Sequence, residues 1–514
     1  MFLENIGQVV LWLVILVASL NVLFLFFLIR RRLIRARFFV QKDAARQRYR
    51  DPVDAFALGQ LGNEQAAAAL GDAKTIAERE VLAEMLFAAS NSANSDRVSE
   101  LMFLLGLVED WARAAFGKHR ARRLLSVLVA KEPKVQQVKW FKPLRPIHRT
   151  RLKAVSRALA VNNLGRLSSK YAHVFLMAAL KDPAAEVRRV AVDALGRNRN
   201  PEAIPSLVEE LRKAVGEGSD VSLRTLKAAL ICFRLEDVDA FLPYLDNPNR
   251  RCRFFVTDTI RQICDRAAQK ARLTKNDFSP ALYRAVLDKC QYDEFGDVRA
   301  RSCHIARYFR DQNAAEMLRH LMRDGNEFVR LHSLRAAADH YYSALIPDAV
   351  ERLTDERWLV REAAVQALQA MGTAGRQALF KFFVDCNDRF AAEQACDEFQ
   401  RRGVVPYLLL AMAAGGDDGL LAENVARKMA SMGKTSLLLA HLTQSDSFAV
   451  QIALMDTLAV NPTNEFLSVL NDISQQDSGQ LSSKARQVLG RIQSGSNVRL
   501  GSSSHTSSTG VADA

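Results

Sequence analysis

A short charged pattern recurs along the middle of the chain at a fixed spacing. In residues 181–196, KDPAAEVRRVAVDALG, an aspartate in a turn is followed six positions later by an arginine in an amphipathic helical segment. Three of the pattern arginines lie 31 residues apart. A fixed period of this size indicates one structural unit stacked on copies of itself, so we predict an elongated array. The pattern pairs are Asp182 with Arg188, Asp293 with Arg299, Asp324 with Arg330 and Asp355 with Arg361, with Asn247 and Arg253 as a partial match.

Composition narrows the fold class and excludes several kinds of site. The 514 residues are 49% apolar and 25% charged, as in folded proteins. No run of alternating strand segments occurs, which predicts an all-α protein. The seven cysteines form no CxxC motif and the nine histidines form no HExxH motif. We therefore expect no disulfide framework and no metal site, and a reducing compartment.

The N-terminal part of the chain carries a membrane-spanning signal. Residues 9–29 contain no charged side chain and, as a helix, would span roughly 30 Å, one bilayer core. Five arginines follow within residues 30–37, whereas Glu4 is the only charged side chain before the apolar run. The positive-inside rule therefore predicts a single-pass protein of the inner (plasma) membrane, with its N-terminus outside and its large domain in the cytoplasm. Residues 30–50 hold nine Lys/Arg and one acid, which favours contact with anionic lipid headgroups.

These features predict six segments along the chain, together with one long helix over residues 95–116. The segments are a short extracytoplasmic N-terminus (1–8), a transmembrane helix (9–29), a basic juxtamembrane segment (30–50), a helical lead-in with a basic loop and degenerate repeats (51–154), a repeat array (155–493) and a disordered Ser/Gly-rich tail (494–514).

The repeated pattern resembles HEAT repeats, especially the short bacterial variety also called PBS-lyase-like repeats. The resemblance implies an all-α solenoid, here preceded by one transmembrane helix. It also implies that the turn aspartate and the inner-helix arginine form a ladder between neighbouring repeats. A buried charge must be paired, so we predict a structural role for the ladder. Arginines lining a phosphate-binding groove would instead have to be exposed. The ladder residues are Asp182, Arg188, Arg253, Asp293, Arg299, Asp324, Arg330, Asp355 and Arg361.

Sequence motifs give no support for catalysis. Residues 433–435, GKT, lack the preceding glycine and strand of a phosphate-binding loop, and GGDDG at 415–419 reads as a turn between helices. We therefore predict no catalytic residues, no cofactor and no enzyme activity. Some solenoids of this family act on bilin chromophores and others excise damaged DNA bases, so a lyase-like enzyme is the alternative that the resemblance implies.

A basic stretch is the stronger functional signal. Residues 111–170 hold sixteen Lys/Arg and one acid, with aromatic residues interleaved near the centre. Such a mixture can stack on and neutralise a polyanion: anionic lipid, an acidic protein or a nucleic acid. Because a membrane anchor would confine the chain to the membrane, nucleic acid is the least favoured of these three ligands. The alternative is that the basic stretch is a solvated surface that binds no ligand. The candidate binding patch is Lys139, Trp140, Phe141, Lys142, Arg145, His148, Arg149, Arg151 and Lys153.

Taken together, the sequence favours a membrane-anchored cytoplasmic scaffold. Repeat solenoids serve mainly as extended binding surfaces, and fold alone does not specify a partner. We expect protein partners that are themselves membrane-associated. By analogy, the layout is similar to that of accessory subunits of membrane glycosyltransferases in exopolysaccharide export.

Overall fold

The computed structural model describes residues 2–131, 154–216, 218–340, 342–401, 403–445, 447–476 and 479–502. In these ranges the regular secondary structure is helical and no strand occurs, as the sequence predicts. The chain divides into two compact units, residues 1–244 and 245–514, each built from stacked helices.

The N-terminal unit contains helices α1 to α11 and ends in a 3₁₀ segment, Leu235–Tyr244. Its helices are α1 (Phe2–Ala57), α2 (Asn63–Leu70), α3 (Ile76–Ala88), α4 (Ser95–Leu104), α5 (Leu107–Phe116), α6 (Lys118–Lys131), α7 (Ala154–Leu164), α8 (Ser169–Ala179), α9 (Ala185–Asn198), α10 (Ile204–Gly216) and α11 (Leu223–Leu230).

The C-terminal unit continues with helices of similar length. They are α12 (Arg250–Ala268), α13 (Pro280–Tyr292), α14 (Gly296–Ala306), α15 (Gln312–Leu321), α16 (Glu327–His340), α17 (Ile346–Glu351), α18 (Trp358–Ala370), α19 (Gly372–Asp385), α20 (Arg389–Arg401), α21 (Val405–Ala414), α22 (Gly416–Ser431), α23 (Ser436–Gln444), α24 (Phe448–Leu458), α25 (Asn464–Ser474) and α26 (Gln480–Ser502).

Helix α1 is one continuous element that runs through four of the segments predicted from the sequence, from the N-terminal segment 1–8 into the lead-in that begins at residue 51. Its last quarter packs against α3 through Ala45, Tyr49, Val53 and Phe56, which are buried and recur at helical spacing. Pro52 lies inside the helix. Proline usually interrupts a helix because it cannot donate a backbone hydrogen bond. The buried face around Pro52 evidently outweighs that local cost.

The apolar half of α1 is exposed. The large apolar side chains described between Ile15 and Ile29 are each 43–68% accessible. The side chains of residues 2–11, 13 and 14, which include part of the predicted 9–29 span, lie outside the described residues. Across the side chains that are described, no helix combines the length and the apolar character needed to cross a membrane.

Two other helix boundaries differ from the sequence predictions. Residues 95–116 form two helices because Gly106, with φ of 69°, adopts a left-handed conformation between α4 and α5. At the C-terminus α26 continues to Ser502, so residues 494–502 are helical where a disordered tail is predicted. Extending an existing helix is much easier than nucleating one, and composition alone does not reveal this. Residues 503–514 lie outside the described residues.

In both units the repeats are helix pairs joined by tight turns. Helices α14, α16 and α18 are the second members of successive pairs and pack side by side. Their starts are fixed by the turn aspartates: Asp324 accepts a hydrogen bond from the backbone N–H of Asn326 (2.8 Å), and Asp355 accepts one from that of Arg357 (3.0 Å). Each aspartate thus satisfies a donor that the helix start would otherwise leave unpaired.

Candidate functional site

The basic patch predicted from the sequence lies outside the residues that the structure describes. All nine of its residues fall within 132–153, so it stays a prediction. What the structure does place is the charged ladder, together with a polar network on the second helices of the C-terminal unit.

Each ladder arginine bridges two successive turns, and Arg330 shows the arrangement most fully. Its Nη1 donates to the backbone carbonyl of Asp324, six residues earlier, at 2.9 Å. Its Nε and Nη2 donate to the two carboxylate oxygens of Asp355 in the next turn, both at 2.8 Å. The Arg330 and Asp355 side chains are only 7% and 2% exposed. The side chains of the aspartate and the arginine in one repeat therefore do not form an ion pair with each other. Each arginine forms its ion pair with the aspartate of the next turn.

The same geometry recurs in both units. Three further arginines each make a paired contact with an aspartate carboxylate of the following turn. These bidentate pairs are Arg157 with Asp182, Arg253 with Asp293, and Arg299 with Asp324.

Two steps of the ladder are irregular. Arg188 donates to the exposed Asp220 (2.6 Å), which lies outside the regular pattern. Six residues before Arg224, where the pattern would place an aspartate, the chain has Gly218. Arg361 donates to the amide oxygen of Gln394 at 2.6 Å. Position 386, where the 25-residue spacing expects an aspartate, is Cys386.

Three residues of the ladder are not among those predicted from the sequence: Arg157, Asp220 and Gln394. The sequence does contain a signal for Arg157, which precedes Arg188 by the 31-residue period. It also precedes Asp182 by 25 residues, the same separation that joins Arg299 to Asp324. Asp220 and Gln394 lie off both spacings, so no periodic signal identifies them.

The regular ladder holds neighbouring repeats together. The hydrogen bond to Asp355 is the main cause that raises the pKa of Arg330, and the corresponding bonds to Asp293 and Asp324 do the same for Arg253 and Arg299. These guanidinium groups are charged, buried or nearly so, and already bonded to carboxylates and carbonyls. A phosphate ligand would have to displace those partners, so a phosphate-binding groove is not formed by these side chains.

A second group of polar side chains joins α12 to α14. The carboxylate of Asp265 accepts hydrogen bonds from Arg261 Nη1 (2.6 Å) and Tyr308 Oη (2.7 Å), and contacts His304 Nε2 (3.1 Å). Burial raises the pKa of Asp265, but the bonds from His304 and Tyr308 outweigh burial and bring it down to about 2. The carboxylate is thus a stable anion that ties the two helices together.

This network makes the protein sensitive to strong acid. The unfolded-state pKa of an aspartate is about 3.9, above the folded value of Asp265, so its stabilising effect is complete above pH 5 and disappears as the pH falls from about 4 towards 2. We expect Asp265→Asn to unfold at lower urea concentration at pH 6 and to lose less stability than the wild type below pH 4. Urea titrations at several pH values measure this, and parallel pH profiles for the two proteins would contradict it.

The described residues offer no metal centre: among them, no three His, Cys, Asp or Glu side chains are grouped to hold an ion. Of the two glycine-containing motifs in the sequence, GKT (433–435) lies in a turn, whereas residues 416–419 of GGDDG belong to α22, so the turn predicted for that motif is wrong. Gly415 precedes α22, and Gly433 lies between α22 and α23; both have positive φ.

Comparison with known proteins identifies the repeats. A family model described as HEAT repeats matches residues 142–227 and 283–369. A search of curated protein sequences found no match.

Solved structures similar to this chain share few identical residues with it. Human deoxyhypusine hydroxylase in complex with glycerol is 17% identical, with a TM-score of 0.20, 56% of this chain covered and 94% of that chain. The complex of CpcE and CpcF of phycocyanin lyase from Nostoc sp. is 14% identical, with a TM-score of 0.26 and coverage of 50% and 93%. A Kap121p mutant is 13% identical, with a TM-score of 0.36 and coverage of 89% and 58%. The family match, together with the recurring turns, shows that residues 142–227 and 283–369 of this chain are HEAT repeats.

Proposed function

We propose that this protein is a membrane-anchored scaffold whose HEAT repeats hold a protein partner at the cytoplasmic face of the inner membrane. The observation that carries the proposal is the division of α1. One end is an exposed apolar run, and the other end is packed into the repeat-bearing N-terminal unit. A single helix would therefore connect the bilayer to the repeats without a flexible linker.

The chemistry of α1 supports the anchor. Its 21 uncharged residues at 9–29 match the roughly 20 that a bilayer core requires. Exposed Phe and Leu side chains gain about 25 cal/mol for each Å² that they remove from water, which favours lipid over solvent. Beyond the run, Arg30, Arg31, Arg32, Arg35 and Arg37 are exposed and can contact anionic headgroups, each contributing about 1 kcal/mol.

The repeats support the scaffold role. Stacked HEAT repeats present long continuous surfaces, and such surfaces mainly bind other proteins. Because the anchor confines the chain to the membrane, we propose that the partner is membrane-associated. An accessory role beside a membrane glycosyltransferase in exopolysaccharide export is the narrower form of this proposal, and it rests on analogy of layout.

The anchor is tested with charges placed inside the apolar run. We expect the wild-type chain to stay in the membrane pellet after alkaline carbonate extraction, and Leu20→Arg/Leu25→Arg to move largely to the supernatant. Each arginine near the centre of a span costs about 2.5–3.5 kcal/mol on insertion scales. The matched control is Leu33→Arg/Ile34→Arg, which adds the same charges just outside the run and should remain in the pellet. Extraction of the wild type would contradict the anchor.

The scaffold role needs a separate experiment. The tagged full-length chain is purified in mild detergent, and co-purifying proteins are identified by mass spectrometry. We expect at least one membrane protein in stoichiometric amount. Recovery of no membrane protein above the level of an untagged control would contradict the scaffold.

A further inference from the structure

Three exposed aromatic side chains mark the starts of consecutive second helices in the C-terminal unit. Phe328 begins α16, Trp358 begins α18 and Phe390 begins α20, and they are 45%, 57% and 77% exposed. Other apolar side chains of the same helices, such as Val329 and Val360, are fully buried. Single exposed apolar residues are common, but large exposed aromatics at the starts of three successive helices are a feature of interaction surfaces.

The starts of α16 and α18 lie next to each other. The residues next to Phe328 and Trp358 are joined, since Glu327 Oε2 and Arg357 Nε are 3.4 Å apart. Trp358 and Phe390 both line one pocket of about 320 Å³. The second and third of these aromatic residues therefore share one recess.

The recess lies where the ladder is irregular. Arg361 lines it, and its guanidinium is committed to the backbone carbonyl of Asp355 (2.6 Å) and to the amide oxygen of Gln394 (2.6 Å). Gln394 in turn donates its amide to the carbonyl of Trp358 at 2.8 Å. These bonds hold Arg361 and Gln394, two of the residues that line the recess, in place beside the backbone of Trp358.

The remaining charged groups of the recess are predominantly acidic. Four carboxylates line it, against two guanidinium groups, of Arg361 and Arg401. Arg401 is bonded to Glu398 and lies 3.7 Å from Glu362. The other two carboxylates are those of Glu393 and Asp397.

Glu393 and Asp397 are each paired with a cation that does not itself line the recess. Arg389 Nε contacts Glu393 at 2.9 Å, and Lys434 Nζ contacts Asp397 at 2.9 Å. The Arg389 side chain is 85% exposed, and exposed ion pairs of this kind add little stability. A cation supplied by a partner can therefore replace them at low cost.

We propose that this recess, bounded by Trp358 and Phe390, binds a lysine or arginine side chain from an extended basic segment of a protein partner. The aliphatic stem of the side chain would lie between the two aromatic rings, and its cation would contact the Trp358 ring and the carboxylates of Glu393 and Asp397. The volume suits one or two side chains and excludes a folded domain. The proposal rests on the scaffold function proposed above and specifies the chemistry of its partner.

The test measures binding of short labelled peptides to the full-length chain in mild detergent by fluorescence anisotropy. The probes are octapeptides of alternating serine with lysine, glutamine or glutamate. We expect the lysine peptide to bind and the other two to bind at least tenfold more weakly. Trp358→Ala and Phe390→Ala should each weaken binding of the lysine peptide about tenfold or more, and Glu393→Gln/Asp397→Asn about three- to tenfold.

The control is Phe448→Ala, which removes an aromatic side chain of the same exposure as Trp358 from α24 and should change binding less than twofold. All variants alter exposed or half-exposed side chains, so circular dichroism melting curves should match the wild type. The proposal is overturned if the lysine peptide does not bind, if the glutamine peptide binds equally well, or if the aromatic variants bind like the wild type. A partner that co-purifies equally with wild type and Trp358→Ala overturns this proposal alone, whereas failure to recover any partner counts against the scaffold function.

Discussion

Arg330→Ala is expected to lower the free energy of unfolding by about 3–5 kcal/mol, because it leaves a buried carboxylate without its main partner. Asp355 is only 2% exposed, and with Arg330 removed it keeps the backbone N–H of Arg357 and a longer contact of 3.6 Å to Arg352. Urea unfolding followed by far-UV circular dichroism measures the change.

The matched control is Arg361→Ala, one repeat later. Arg361 makes the same backbone contact with the preceding turn, but its forward partner is the neutral amide of Gln394. Its removal therefore leaves no unpaired buried charge, and we expect a loss of only about 1–2 kcal/mol. The double variant Arg330→Ala/Asp355→Ala should be more stable than the sum of its single variants predicts. Equal losses for Arg330→Ala and Arg361→Ala would show that the buried ion pair is not what stabilises the regular ladder.

A loss of stability in mild acid is the second large effect that we expect, and it originates at His332 on α16. Burial lowers the pKa of His332 to about 3, with further lowering by His304 and Arg301 on α14, Arg335 on α16 and Arg261 on α12. Its Nδ1 is buried without a hydrogen-bond partner, and the His304 ring centroid lies 5.6 Å away. A protonated imidazole would therefore add a charge and a donor where cations already predominate.

The direction of the effect follows from the two pKa values. An unfolded histidine titrates near pH 6.5, so between about pH 6.5 and 3 the unfolded chain binds a proton that the folded chain does not. The free energy of unfolding should fall as the pH is lowered through this window, by up to about 1.4 kcal/mol per pH unit from this residue. We expect His332→Gln to reduce that slope, with the exposed His320→Gln as the matched control. Urea titrations between pH 7 and 4 give the slopes, and identical slopes for wild type and His332→Gln would contradict the assignment.

Periodicity made much of the fold predictable, because each repeat places the same chemistry at the same position. The 31-residue period and the six-residue offset locate the turns that precede α9, α14, α16 and α18. Neither the 31-residue period nor the six-residue offset predicts that Arg330 pairs with Asp355 of the next turn, because that pairing depends on how successive turns pack against each other. Once that is known, the 25-residue separation also identifies Arg157.

Local sequence rules were less reliable where packing or backbone continuity determines the extent of a helix or the contact between two helices. Composition separates an apolar run, a basic segment and a lead-in, yet α1 passes through all three and tolerates Pro52 because its buried face holds it in place. The recess between Trp358 and Phe390 was also beyond sequence reasoning. Those residues are 32 positions apart, and their meeting depends on the stacking of α18 on α20.

The forward direction of the ladder has a consequence for how such an array can change in length. Each regular repeat supplies an aspartate to the arginine before it and an arginine to the aspartate after it, as Asp324 and Arg330 do. A duplicated or deleted repeat would therefore leave every remaining buried charge with a partner. Adding a whole repeat therefore adds one arginine and one aspartate to the ladder and leaves no buried charge unpaired. An insertion within a repeat would instead separate an arginine from its carboxylate.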